Sequence, residues 1–396
     1  MKKGWQTKSL GDVLVKTETN DPTRLPDAEF DYIDVSSISN ETLTIQETQR
    51  LKGKDAPSRA RRHVRTNDVL LATVRPTLRR IAIVPEELDE QICSTGCYVL
   101  RAKPEVDFRF IFYFLQTEVF MAAMERLQKG ASYPAVTDGD VRSQPIPVPS
   151  LSEQQRIVEV LDEAFASLAT AQAHASQNLQ NARALFESHL NAVFTQRGEG
   201  WQLRRIPDVC VTFRRGKSRH RPRNEPCLYG GKYPFIQTGD ISNADHVITT
   251  HTQTYNETGL AQSKLWPKGT VGIAIVGATI GETGVLDFEA CFPDSVIGMT
   301  VNPAEADPFF LEYMLQHFKE MVKSHGEGSA RENINLATFD RLLFPMPSVK
   351  EQRQIAAATD ALKDQTKRLE SIYQRKLAAL DELKKSLLHQ AFNGEL

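Results

Sequence analysis

Pro147-Val-Pro-Ser-Leu-Ser-Glu-Gln-Gln-Arg-Ile157 and Pro345-Met-Pro-Ser-Val-Lys-Glu-Gln-Arg-Gln-Ile355 are two versions of one segment. Six of the eleven positions are identical, and the offset of 198 is half of the 396-residue chain. Each segment reads as the start of a helix. The prolines at 147, 149, 345 and 347 keep the preceding backbone extended. Ser150 to Glu153 and Ser348 to Glu351 have capping-box spacing. Behind these starts, Leu151–Gln196 and Val349–Asn393 contain neither proline nor glycine, and Gly198 and Gly394 follow as stops. Helices of that length run roughly 65–70 Å, longer than a single globule needs.

The repeat extends in both directions. Ser188, Leu190 and Phe194 recur as Ser386, Leu388 and Phe392, and Gly130 and Val136 as Gly328 and Ile334. Gly4-Trp5 recurs as Gly200-Trp201, Tyr32-Ile33 as Phe235-Ile236, and Val74 with Thr77 as Val276 with Thr279. The chain is therefore two copies of one unit, globule first and helix second. Strands are predicted at 30–36, 68–75, 80–84 and 97–101, and again at 233–238, 270–276, 283–287 and 295–301. One amphipathic helix is expected over 107–128 and its counterpart over 307–324. In the long helices, 164, 168, 171, 175, 178, 182, 185 and 189 step by 4 and 3. So do 362, 366, 369, 373, 376, 380, 383 and 387. Six of eight are apolar in each, as a coiled-coil seam requires. The alternative is that each helix packs on its own globule. Written head to tail, the C-terminal Asn-Gly-Glu-Leu396 followed by Met1–Trp5 resembles the join at 194–201, so the two ends are expected to lie together.

The net charge of −2 hides two basic stretches. Arg50–Arg80 carries +8 and Trp201–Lys232 carries +7, in a background of −17. Such clustering points to two polyanion contacts, or to two solvated loops. Five scattered cysteines, an odd number, speak against a disulfide framework, and Cys93 and Cys97 read as small buried hydrophobes. The longest uncharged apolar stretch, Gly269–Gly281, is too short to span a bilayer. No signal peptide is visible, and the cytoplasm is the expected compartment.

Catalytic motifs fail on inspection. Asp307-Pro-Phe-Phe310 resembles a methyltransferase loop without its second proline. Gly277-Ala-Thr-Ile-Gly-Glu-Thr-Gly284 has Glu282 where a phosphate loop needs lysine. Glu382-Leu-Lys384 has nuclease spacing but falls inside a helix. The nine histidines show no metal-ligand spacing. No catalytic residue, metal site or cofactor is expected in this chain.

Over its whole length the chain resembles the specificity (S) subunits of type I restriction-modification enzymes. The residues that carry the resemblance are Pro147, Pro149, Glu153, Gln154 and Ile157, with Pro345, Pro347, Glu351, Gln352 and Ile355. The resemblance implies an α+β fold: two pseudo-repeated α/β target recognition domains separated by two long helices paired as an antiparallel coiled coil. The domains would be 1–150 and 198–348, the helices 151–197 and 349–396. Each domain would read one half of a split, asymmetric site in double-stranded DNA. The helices would fix the spacer and seat two methylation (M) subunits, which hold S-adenosylmethionine. Restriction (R) subunits using ATP and Mg2+ would join that core. A methylation-only assembly, or a structural pseudo-dimer that binds protein or RNA, are the alternatives. In the family a recognition hairpin looks like Gly-x-Thr-x-Gly-Lys. Here the second half has Gly277-Ala-Thr279-Ile-Gly281-Glu282, and the first has Arg75-Pro-Thr77-Leu-Arg79-Arg80. Expected DNA-contacting residues are Lys54, Arg59, Arg61, Arg62, Arg65, Arg75, Thr77, Arg79, Arg80 and Tyr133 in the first half. In the second they are Arg214, Arg215, Lys217, Arg219, Arg221, Arg223, Gly277, Thr279, Arg331 and Asn333.

Overall fold

The computed structural model describes residues 4–219, 222, 225–325 and 334–396. Two compact units share the chain: 1–176 with 374–396, and 177–373. Each combines one globule with half of each long helix.

In the first unit, Val69–Ala72 lies between Cys97–Ala102 and Ile81–Ile83 in an antiparallel four-stranded sheet completed by Leu14–Val15. All four of its residues are buried. Alternation along the strand divides them between two cores. Val69 and Leu71 join Leu100, Phe110 and Ile111, whereas Leu70 joins Val99, Ile33 and Cys93. A second sheet contains Gln49–Lys52, Glu29–Ile33, Ile92–Ser94 and Ala60–His63, in that order. The strand Gln6–Ser9 pairs with Pro145–Val148, just ahead of the helix.

The second unit repeats the plan. Val271–Ala274 lies between Val296–Val301 and Thr283–Leu286, and Gln202–Arg204 pairs with Phe344–Met346. At the register positions of Leu70 and Val99 this sheet has Gly272 paired with Gly298. A Cβ on either glycine would stand 2.9 Å from the Phe292 ring or 2.8 Å from the Trp266 ring. Two large aromatics thus fill the volume that two aliphatic side chains fill in the first unit.

The single helices expected over 107–128 and 307–324 are each two. Phe108–Phe114 is followed by Glu118–Leu127, and Pro308–His317 by Lys319–Ser324. Thr117 makes the first break: its hydroxyl donates to the Phe114 carbonyl at 2.8 Å and accepts from Phe120 N–H at 3.3 Å. Asp307 caps its helix by accepting from Phe309 and Phe310 N–H.

The long helices run Leu151–Thr195 and Val349–Asn393. Their repeated Gln is a clamp. Gln154 is fully buried; its Oε1 accepts from Asp107 N–H at 3.0 Å, and its Nε2 donates to the Pro149 carbonyl at 3.0 Å. Gln352 does the same with Asp307 N–H and the Pro347 carbonyl, both at 2.9 Å. Each clamp ties the helix start to the segment that begins the globule's own helices. Tyr113 donates to Asp162 in one unit and Tyr313 to Asp360 in the other, a second matched tie. Ile157 is buried in the first core; Ile355 is half-buried against the second. Ser150 and Ser348 accept from Glu153 and Glu351 N–H, one arm of the expected boxes.

Within each unit the two helices run antiparallel. Gln172 meets Asp381 at 2.6 Å in the first, and Arg183 meets Glu370 at 3.2 Å in the second. The seam differs from the expected one at five of its sixteen positions. In the first helix Asn178 and Leu185 face solvent, and Leu179 and Phe186 turn inward. In the second helix 362, 366, 373, 380 and 387 hold, whereas Leu369, Lys376 and Leu383 face solvent and Lys363, Glu370, Leu377 and Lys384 turn inward. Leu369 and Leu383 are left 38% and 47% exposed. The C-terminal Leu396 packs on the first core, to which Trp5 belongs, and its carbonyl accepts from Arg156 at 2.8 Å.

Candidate nucleic-acid interface

The recognition turn is built differently in the two units. In the second, Gly277 and Gly281 flank the turn at φ +71° and +84°, where glycine is at ease. In the first, Arg75 and Arg79 hold φ +51° and +53° at the equivalent positions. A left-handed backbone costs an L-residue about 1–2 kcal/mol. The surroundings hold it: Arg75 N–H donates to the Pro134 carbonyl at 2.7 Å, and Val74 bridges to Ala135. The Arg75 guanidinium lies 5.1 Å above the Tyr133 ring, itself 72% exposed. Thr77 and Leu78 are exposed at the tip. Arg79 bridges to Glu118, the first residue of its helix, at 2.7 Å. In the second unit a bridge of the opposite sense starts one position further along the turn: Glu282, the counterpart of Arg80, meets Lys319, also the first residue of a helix, at 2.6 Å. A Cβ on Gly281 would touch Lys319 and Lys323, which places two lysines beside that turn.

Much of the first basic stretch is neutralised in space. Arg61 lies 3.5 Å from Asp21, Arg62 2.7 Å from Asp138, and Arg65 3.2 Å from Glu90. Arg50 is bonded to Glu29 and Asp31. Arg80 is committed to the carbonyls of Val35, Ser36 and Ile38, and so anchors the 35–38 loop. Lys54, Arg59 and Arg75 remain exposed without a carboxylate partner among the described residues. Arg59 and Arg75 arise from adjoining strand ends. Thr95 N–H donates to the Arg59 carbonyl, and the Gly96 carbonyl accepts from Thr73 N–H.

In the second basic stretch Arg204, Arg205 and Lys232 meet Glu305, Asp208 and Glu257, but its middle stays charged. Arg214 and Arg215 end the edge strand Cys210–Arg215, and with Lys217 and Arg219 they are exposed. None of the four has a carboxylate partner among the described residues. Gly216 is required between them, because a Cβ there would stand 2.3 Å from two carbonyl oxygens. Ser263 Oγ donates to the Lys217 carbonyl at 2.8 Å, and Gln262 accepts from Arg219 N–H at 2.5 Å. This brings in Lys264, which the sequence reading left out. Its ammonium lies 4.0 Å above the Trp266 ring. Burial, then the neighbouring Arg214 and Lys217, hold Lys264 below the usual lysine range. Mutually repelling cations without a nearby counter-charge create a positive field that attracts anions. Arg221, Arg223, Arg331 and Asn333 lie outside the described residues.

Among the described residues no group of His, Cys, Asp and Glu is arranged to hold a metal ion, and no helix is long and apolar enough to cross a membrane. The model of the type I restriction modification DNA specificity domain matches residues 2–179 and again 198–377. A chain solved in work on complex assembly and conformational transition of the type I R-M system is 30% identical, with a TM-score of 0.84, covering 100% of this chain and 99% of that one. The HsdS subunit from Thermoanaerobacter tengcongensis is 30% identical at a TM-score of 0.72, over 100% and 98%. The StySPI specificity subunit of Salmonella potsdam is 22% identical over 77% of this chain and 69% of its own. Among curated relatives the matched stretch spans from 28% to 69% of their length. With both halves matched and the fold shared end to end, this chain belongs to the type I restriction-modification specificity family and is a specificity subunit.

Proposed function

We propose that this chain has no chemistry of its own and reads a split, asymmetric DNA site, one half with each globule. The observation that carries this is one scaffold used twice with two different reading surfaces. The first presents arginines on a strained turn beside Tyr133. The second presents a glycine turn and a cation cluster elsewhere on its sheet. Arginine reaches guanine O6 and N7 in the major groove, whereas a glycine turn lets the backbone approach. Unpaired Lys54, Arg59, Arg214, Arg215, Lys217 and Arg219 contact phosphates, and Arg61, Arg62 and Arg65 are held back by their carboxylates. The helices set the spacing between half-sites and dock two M subunits, which supply S-adenosylmethionine and methylate adenine. R subunits with ATP and Mg2+ join that core.

The test is a genome-wide map of methylated adenine in cells carrying the wild-type chain or Arg75→Ala, with the M partner present. Relaxation of one half-site with the other half and the spacer unchanged supports the assignment. Relaxation of both halves, or of neither, contradicts it.

A further inference from the structure

The helix seam holds a second message in its polar contacts. Both long helices have 45 residues, and the 198-residue offset aligns them end to end. In the first unit the Lys384 ammonium lies 5.0 Å above the Phe165 ring, and Gln172 donates to Asp381. In the second, Lys363 lies 5.9 Å above Phe186, and Arg183 pairs with Glu370. Adding 198 to Phe165, Gln172, Arg183 and Phe186 gives Lys363, Glu370, Asp381 and Lys384. The four contacts are therefore two contacts and their repeat mates. At every one, the first helix supplies an aromatic, an amide or a guanidinium, and the second supplies the charge that complements it.

We propose that these positions form a one-sided pairing code. The second helix accepts a partner of the first helix's type and refuses a second copy of itself. In the same antiparallel register, two helices of the second type would set Lys363 against Lys384 twice and Glu370 against Asp381 twice. That is four like-charge contacts and no attractive one among these seam pairs, although Asp245 stays 3.2 Å from Lys363. Two helices of the first type would set Phe165 against Phe186 and Gln172 against Arg183, with no repulsion. His189 and Thr359, 3.2 Å apart across the seam, add a polar pair. Two second-type helices would replace it with Thr359 against Leu387. The excluded partner is thus the second helix of another copy of this chain, a pairing that would join two identical globules.

The full-length chain tests this directly. Phe165→Lys, Gln172→Glu, Arg183→Asp and Phe186→Lys together give it two helices of the second type. Its thermal midpoint should fall by roughly 10 °C at low salt, with part of the loss recovered in 1 M salt. The reciprocal set, Lys363→Phe, Glu370→Gln, Asp381→Arg and Lys384→Phe, should lose less, although it also removes the Lys363 contacts with the Asp245 carbonyl and carboxylate. Combining all eight exchanges restores every pair in mirror orientation and should recover most of the midpoint lost by the first set. A first-set chain as stable as the parent, or an eightfold chain no more stable than the first set, overturns the code.

Discussion

Replacing Arg75 and Arg79 with glycine should leave the protein more stable than replacing them with alanine, the reverse of the usual order. Both pairs of substitutions remove the Arg75–Tyr133 stacking and the exposed Arg79–Glu118 bridge, so those losses cancel in the comparison. What differs is the backbone. Alanine keeps a Cβ at φ +51° and +53°, and each such position costs about 1–2 kcal/mol. Glycine removes that cost but adds roughly 0.5–1 kcal/mol of unfolded-state entropy. The net advantage is about 0.5–1 kcal/mol per position, so about 1–2 kcal/mol for the pair if the two act independently. For a unit of about 200 residues this is a midpoint higher by roughly 2–8 °C. Thermal unfolding followed by circular dichroism reads it. Both variants should lose discrimination at the first half-site to the same extent, since both lack the guanidinium groups. An alanine pair as stable as the glycine pair would mean that the turn is not strained, and the case for a reading role kept at a cost in stability would fall with it.

Gln352→Leu takes their partner from the half-buried Asp307 N–H and the buried Pro347 carbonyl, which should cost roughly 2–4 kcal/mol and lower the midpoint of that unit. Arg59→Ala should reduce the salt slope of DNA binding by about one, whereas Arg62→Ala, whose charge is already matched by Asp138, should leave it nearly unchanged; titration of labelled duplex at several salt concentrations decides. Burial lowers the His317 pKa below its usual 6.5, so the unfolded chain takes up the proton first. Stability therefore declines as pH falls through 6.5, and His317→Phe should show a smaller drop in midpoint between pH 7.5 and pH 5.5.

The helix starts were legible because proline, serine and the missing glycines mark them in any context. The break at Thr117 was not, because the apolar period of Phe110, Phe114 and Met124 runs straight through it. Part of the seam was misread, for a physical reason. Leucine is the more apolar residue, yet Leu369 and Leu383 face water while Lys363 and Lys384 lay their stems along Phe186 and Phe165. Likewise the +8 of the first basic stretch was counted along the chain. Glu18, Asp21 and Asp138, which cancel much of it, come from outside that stretch. Lys264 was missed because its company, Arg214 and Lys217, is distant in sequence and near in space.

The sign-reversed bridges between turn and helix bear on how such readers can be rebuilt. A graft that moved only the second turn into the first globule would put Gly281 where Arg79 meets Glu118, and Glu282 where Arg80 meets the Val35, Ser36 and Ile38 carbonyls, so that a carboxylate faces three carbonyl oxygens. Moving only the first turn the other way would set an arginine against Lys319. The smallest transplantable reading head is therefore the turn together with the segments it meets, and a chimera cut between them inherits a repulsion at its joint.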